Sequence, residues 1–235
     1  MKNTAIFFDL DDTLYDRSQP FREAFRQFLP LQSDLDLKAY DACNHRGDEV
    51  FHASQRGEIT MDEMYIYRYT KGFSDIGISM TDDDALRFQE LYKERQGKIC
   101  IGEGVPELLD YCTANFSMVG IITNGPEDKQ KRKLQTLGLS RWIPEQQTII
   151  SGVVKVDKPD PAIFHLAEKM AGKGPESMLY VGDSFVNDMA PAIALGWKTI
   201  YLNRKAQAVP VNSGKPDLEL RGEEFLRPSH LKQLL

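Results

Sequence analysis

Two rhythms of apolar and polar residues alternate along the chain. Ala5-Ile6-Phe7-Phe8 is a short continuous apolar run that breaks abruptly into Asp9-Leu10-Asp11-Asp12-Thr13. Such a run reads as a buried parallel strand delivering side chains to the carboxyl edge of a sheet, where open α/β folds place their sites. Residues two apart on an extended segment share a face, so Asp9 and Asp11 are predicted to address one place while Leu10 enters the core. From about Arg17 to Lys98 the pattern turns helical, predicting helices over Gln19 to Leu29, Leu35 to Ser54, Met61 to Phe73 and Asp82 to Arg95. Thr60 with Glu63 and Thr81 with Asp84 put a hydroxyl before a helix and an acid three residues on, a start signal. Gly72, Gly77 and Gly97 punctuate the ends.

From Gly102 the rhythm changes again. Helices predicted over Val105 to Asn115, Glu127 to Leu137, Pro161 to Ala171 and Asn187 to Leu195 alternate with strands over Met118 to Thr123, Thr148 to Ser151, Met178 to Val181 and Lys198 to Leu202. This alternation implies an α/β fold, a parallel sheet covered by helices on both faces. The first strand must join that sheet, so the core is expected from 1–15 and 99–235, with 16–98 inserted as an all-helical unit. An insert leaving directly after that strand would hang over its carboxyl end as a lid that excludes water. Beyond Ala206 the signal fades: Pro210, Asn212-Ser213-Gly214 and Pro216 predict loops around one short strand at most.

Composition narrows the function. The 235 residues are 41% hydrophobic and 27% charged, ordinary globular values. No apolar stretch approaches the ~20 residues a bilayer requires, and Met1-Lys2-Asn3 leads into the first strand rather than a signal-peptide apolar region, so cytoplasmic residence is expected. A net charge of -6 argues against the concentrated basic face that a nucleic-acid polymer requires. Cys43, Cys100 and Cys112 are odd in number and lack metal-type spacing, so reduced thiols are expected.

Four polar clusters then stand out, each just after an apolar run or at a loop-to-helix junction: Asp9-Leu10-Asp11-Asp12-Thr13, Ile121-Ile122-Thr123-Asn124, Lys158-Pro159-Asp160-Pro161 and Val181-Gly182-Asp183-Ser184-Phe185-Val186-Asn187-Asp188. Any one of them reads equally well as a turn or a helix cap. In this order and spacing they resemble the haloacid dehalogenase superfamily of hydrolases, across nearly the whole chain. The resemblance implies a Rossmann-like core with a helical cap between the first and second motifs.

An acid pair of this kind would split phosphoester cleavage through an aspartyl-phosphate, with Asp9 as nucleophile and Asp11 as acid/base. The resemblance implies that Asp11 protonates the leaving oxygen, later deprotonates the attacking water, and lends its backbone carbonyl to the metal. Crowding Asp9, Asp11, Asp183 and Asp188 beside a phosphate demands a cation, and an all-oxygen site suits Mg²⁺. The resemblance further implies that Asp9 and Asp183 bind the metal directly, while Asp188 supports it through water or orients Lys158. Lys158 is expected to neutralise phosphoryl oxygens and to hold the nucleophile ionised, while Thr123, Asn124 and neighbouring backbone N–H groups hold phosphoryl oxygens. Thr13 is expected to support the loop and Asp11, and Asp12 and Asp160 to be structural. Lys129-Gln130-Lys131-Arg132-Lys133 reads as a solvated helix face, His45 and His52 as surface or packing groups, and Tyr65, Tyr67, Tyr69 and Phe73 as helical packing.

The expected function is a Mg²⁺-dependent phosphomonoester hydrolase for a small phosphorylated metabolite, nucleotidase-like in its looser resemblance, with neither nucleic-acid polymer nor membrane as partner. Retention of Asp11 separates it from the family's dehalogenases, whose halide leaving group needs no proton. Two alternatives stay open: a phosphomutase of sugar phosphates, which uses the same two aspartates, and a non-catalytic module that keeps a phosphate-shaped pocket.

Overall fold

The apolar runs assemble into one parallel sheet. In the computed structural model of the chain, which describes residues 2–210, 213–222 and 224–234, six strands are joined: β1 (Ala5–Phe8), β2 (Met118–Thr123), β3 (Thr148–Ile150), β4 (Met178–Gly182), β5 (Lys198–Asn203) and β6 (Leu218–Arg221). They are ordered β3-β2-β1-β4-β5-β6, every pair parallel. Chain order reverses beside β1, with β2 on one side and β4 on the other, and such a switch point opens a crevice at the carboxyl edge of an α/β sheet. Phe8 lies opposite Ile121 of β2 and Val181 of β4, so Asp9, Thr123 and Asp183 follow one another along that edge. All four residues of β1 are buried, as a central strand covered on both faces must be.

Contacts divide the chain into two units, Met1–Asp16 with Cys100–Leu235, and Arg17–Ile99. The first contains the sheet with helices α5 (Val105–Asn115), α6 (Glu127–Thr136), α7 (Ser151–Val154), α8 (Pro161–Ala171), α9 (Ala190–Ala194) and α10 (Pro228–Leu234). Its core packs Phe164 of α8 edge-on against Tyr180 of β4 and Trp197, with ring centroids 5.3 and 5.5 Å apart. Among the described residues no helix is long and apolar enough to cross a membrane.

The second unit is built from α1 (Gln19–Phe28), α2 (Asp36–Gln55), α3 (Met61–Asp75) and α4 (Asp82–Gln96) around buried Phe21, Phe25, Tyr69, Phe73 and Phe88. Both helix-start signals are realised. Thr60 Oγ1 accepts from the Glu63 N–H at 3.2 Å while Glu63 Oε2 accepts from the Thr60 N–H at 2.8 Å, and Thr81 Oγ1 accepts from the Asp84 N–H at 3.1 Å. Tyr69 and Phe73 belong to the core, whereas Tyr67 reaches out to donate to Glu49.

Three expectations need correction. Gly72 does not end its helix; it lies inside α3, where a Cβ would come within 2.7 Å of the Cys43 Cα on α2. The contact is with backbone, which cannot rotate away. Gly72→Ala therefore gains roughly 1 kcal/mol of helix propensity but forces a helix pair apart at about 1–3 kcal/mol, a net loss. Thermal unfolding should register a lower Tm; an unchanged or higher value contradicts this account of the α2–α3 crossing.

The helix expected over Asn187 to Leu195 is instead a wide π turn, Phe185–Met189, running into the short α9. The site chemistry described below explains the local widening, since it turns Asp188 back toward the sheet edge. The tail also holds more than expected, since α10 follows β6 and buries Leu231. A seven-residue helix with one anchoring side chain leaves little periodicity to detect. The loop expected at Pro210 and Asn212-Ser213-Gly214 falls partly on Asn212, which lies outside the described residues.

Candidate active site

β1 ends at Phe8, and the Asp9 N–H still donates to Val181 O at 2.8 Å, so sheet hydrogen bonding holds the Asp9 backbone one residue past the strand. The chain then turns sharply. Asp12 takes a left-handed φ of 60°, tolerable for aspartate, and its carbonyl accepts from Arg204 Nε at 3.1 Å. Asp12 is thus a turn residue, and Asp160 is the N-cap of α8, accepting from the Ala162 N–H at 2.9 Å.

Lys158 stands at the centre of the site with its side chain only 3% exposed. Its ammonium donates to Asp9 Oδ1 at 2.7 Å, Asp188 Oδ1 at 2.6 Å and the Tyr180 hydroxyl at 3.0 Å; Tyr180 in turn donates to the Ile122 carbonyl at 3.1 Å. An ammonium has three hydrogens, and all three are spent. In this arrangement its charge acts through the carboxylates it binds, the nucleophile-holding half of what was expected of it.

Asn124 also has a different task from the expected one. Its Nδ2 donates to the Lys158 carbonyl at 2.8 Å and its Oδ1 accepts from the Lys158 N–H at 2.9 Å. The amide is used from both ends to seat the lysine backbone rather than directed at a substrate. The neighbouring Gly125 N–H donates to Ser151 Oγ at 2.9 Å.

Asp188 reaches Lys158 from the π turn, while its second oxygen accepts from the Ser184 N–H at 3.0 Å and Ser184 Oγ caps Asn187. Gly182 makes the approach possible, since a Cβ there would meet Asp188 Cγ at 2.6 Å. Asp9, Asp183 and Asp188 each offer an oxygen such that all three lie within 4.8 Å of one another.

Three carboxylates against one ammonium leave an excess of negative charge. Burial, opposed by Lys158 but reinforced by Asp188, pushes the Asp9 carboxyl up to about 7. Burial and then the charges of Asp9 and Asp188 push Asp183 up to about 8. Burial alone would strip the Lys158 proton, but Asp188 and Asp9 hold the ammonium well above its ordinary range. A buried all-oxygen cluster short of positive charge fits a hard divalent cation, which would be held by Asp9 and Asp183 with Asp188 completing the set.

Asp11 lies apart from that cluster. Lys133 donates to both its oxygens at 2.6 and 2.7 Å, Gln130 Nε2 donates to Oδ2 at 3.1 Å, and the Tyr15 hydroxyl donates to Oδ1. Burial would raise this carboxyl, yet the Lys133 ammonium and the three sets of hydrogen bonds outweigh it and hold Asp11 below the usual carboxylate range. Gln130 Nε2 also donates to Thr123 Oγ1 at 2.6 Å. With its oxygen accepting there, the Thr123 hydroxyl keeps its own hydrogen free to point elsewhere.

The run 129–133 is thus not one solvated face. Lys131 pairs with Glu127 and Glu145 at the surface, but Gln130 is buried and Lys133 reaches Asp11. The signal available in the sequence was positional: Gln130 and Lys133 are three apart on a helix that begins just past Thr123-Asn124-Gly125 at the sheet edge. Thr13 departs from expectation in the other direction, because its buried Oγ1 has no hydrogen-bond partner and does not brace Asp11.

The model of the family described as haloacid dehalogenase-like hydrolase matches residues 4–196. The human N-acylneuraminate-9-phosphatase is 22% identical over 231 residues, spanning 89% of this chain and 86% of its own length. The pyrimidine 5'-nucleotidase PynA of Streptococcus pneumoniae is 26% identical over 200 residues, 84% of this chain and 83% of its own. Among solved structures, the magnesium-bound HAD-hydrolase YfnB of Bacillus subtilis superposes with a TM-score of 0.67 at 21% identity, covering 100% of this chain and 99% of that one.

Proposed function

The chain belongs to the haloacid dehalogenase-like hydrolases and is an enzyme of their phosphatase type, and on that premise we propose that it is a Mg²⁺-dependent phosphomonoester hydrolase for a small phosphorylated metabolite. The observation that carries the proposal is the buried triangle of Asp9, Lys158 and Asp188 with Asp183 beside it. The phosphatase and nucleotidase relatives support a small phosphate ester as substrate. We assign the chemistry to 1–15 and 99–235, and the choice of substrate to the helical residues 16–98.

In the proposed mechanism an Asp9 carboxylate oxygen attacks phosphorus, the ester bond breaks, and the departing oxygen takes a proton from Asp11. Water then attacks the aspartyl-phosphate, giving its proton to Asp11 and releasing phosphate with Asp9 regenerated. Lys158 keeps the attacking carboxylate ionised and fixed in direction, which is where a preorganised charge does most for phosphoryl transfer. Thr123 directs its free hydroxyl hydrogen at a phosphoryl oxygen. Asp11 rests ionised against Lys133, so it takes up a proton from solvent before it can protonate the departing oxygen, an uptake that the arriving substrate anion favours. Mg²⁺ held by Asp9, Asp183 and Asp188 would neutralise the charge on the phosphoryl oxygens.

A pH dependence follows. Asp9 at about 7 and Asp183 at about 8 lie above the ordinary carboxylate value of 3.8, so proton binding favours the metal-free fold at low pH, and this contribution is lost as pH rises through 7 and 8. Cation binding needs the ionised forms, so Mg²⁺ affinity should rise across the same window. Calorimetry in two buffers of different protonation enthalpy should show protons released on Mg²⁺ binding at about pH 6 and almost none at about pH 9. Phosphate release from an aryl phosphate should vanish with a chelator and return with Mg²⁺. Turnover indifferent to the chelator, or an affinity flat in pH, would reject the metal assignment.

A further inference from the structure

We propose that Lys133 is a positioning residue that fixes the Asp11 carboxylate for proton transfer to the leaving oxygen; this rests on the reading of Asp11 as the acid/base. Lys158 cannot serve this purpose, because its three hydrogens are committed to Asp9, Asp188 and Tyr180. The site therefore divides its cations, Lys158 for the nucleophile and Lys133 for the acid/base.

Three features separate this contact from an ordinary surface ion pair, which contributes little. Lys133 is only 16% exposed and Asp11 20%, so water competes weakly for either. The ammonium lies almost equally close to both carboxylate oxygens, at 2.6 and 2.7 Å, which restrains rotation of the whole group rather than tethering one end. The clamp is also tied to the phosphate-facing side of the site. Gln130, one turn earlier on α6, bonds both Asp11 and Thr123, while Tyr15 closes on Asp11 from the β1 side and lies 6.0 Å beneath the Lys133 ammonium. A carboxylate free to swing would deliver its proton to the wrong place as often as to the right one.

The effect should depend on how much the leaving group needs a proton. A nitrophenolate leaves as a stabilised anion, whereas a simple alkoxide does not. General acid catalysis is worth about 10²–10⁴-fold and misalignment forfeits part of it, so Lys133→Met should lower kcat on an alkyl phosphomonoester about 10–100-fold more than on nitrophenyl phosphate. KM should stay within about 3-fold, because Lys133 is not among the groups assigned to the phosphate. Lys133→Arg, with a forked cation able to span both oxygens, should recover most of the alkyl-ester activity. Equal losses on the two esters, or a change confined to KM, would overturn the proposal. Should Lys133→Met fail to fold, Lys133→Gln carries the same comparison. An Asp9→Asn control separates the two layers: activity retained there sinks the phosphatase mechanism itself. Inactivity there with no leaving-group bias in the Lys133 variants sinks only the clamp.

Discussion

Asp9→Asn lowers kcat by about 10⁴-fold or more while the protein stays folded, because an amide oxygen cannot form the phosphoenzyme and loss of a covalent nucleophile removes most of the rate enhancement. The substitution is nearly isosteric and Lys158 still meets an oxygen acceptor, so the packing around β1 has no reason to change. It also removes one of three crowded carboxylates from a site where burial already pushes Asp9 up to about 7, which offsets the weakened ion pair. Stability should therefore move far less than activity. Parallel circular dichroism melts and initial rates on an aryl phosphate separate the two quantities. A variant that keeps substantial turnover excludes Asp9 as the attacking group, and one that unfolds instead makes Asp9 chiefly a structural partner of Lys158.

Lys158→Met behaves differently, losing stability and rate together. The lysine side chain is buried, and its removal leaves Asp9 and Asp188 facing each other with no cation between them. Removing one partner of a buried ion pair costs about 3–5 kcal/mol, and the loss of one preorganised charge in a phosphoryl-transfer site about 10²–10³-fold in kcat. The sign of the pH effect is fixed by the carboxylates. Without the ammonium, Asp9 rises further above about 7 and is neutral at low pH, so the destabilisation shrinks in mild acid and grows as pH climbs through neutrality. Denaturant melts of both proteins across that range test this, and a difference in stability that ignores pH contradicts the ion-pair account. Added Mg²⁺ should rescue part of the stability, since it is the other cation the cluster can take.

What could be read from the sequence was whatever strong local periodicity or abrupt polarity change imposes. Ala5-Ile6-Phe7-Phe8 breaking into Asp9 announces a buried strand end, and after Gly102 every expected strand and every expected helix but the one over Asn187 to Leu195 became an element of the parallel sheet unit. Three of the four polar clusters were legible because they follow apolar runs, and strand ends are where a parallel sheet gathers distant residues; the fourth, Lys158-Pro159-Asp160-Pro161, sits at a loop-to-helix junction. Asp9, Lys158, Asp183 and Asp188 accordingly converge.

The tasks of individual side chains were less legible, because they depend on which donors remain after neighbours are served. Asn124 looks like a phosphate ligand until the Lys158 backbone claims both ends of its amide. Lys133 looks solvated because it sits in a basic run, and the weak signal that one face of α6 looks onto Asp11 is the helix's start at the sheet edge, not the run's composition. Thr13 follows two acids and suggests a brace, yet the bracing of Asp11 is done by Tyr15, Gln130 and Lys133, 119 and 122 residues away in the last two cases. Gly72 looked like punctuation because a glycine's packing role is set by the partner helix, here the Cys43 backbone. The π turn at Phe185–Met189 exchanges regular helix bonding for the Asp188 carboxylate's contacts with Ser184 and Lys158, a local departure of the sort that accompanies function.

The covalent role of Asp9 can be tested on the atom itself. Enzyme mixed with excess aryl phosphate and Mg²⁺, quenched in acid within one turnover and reduced with borohydride, should carry homoserine at position 9 in its peptide map, because only an acyl phosphate is reduced under those conditions. Aspartate recovered intact at that position, or homoserine found at another carboxylate, contradicts an aspartyl-phosphate on Asp9.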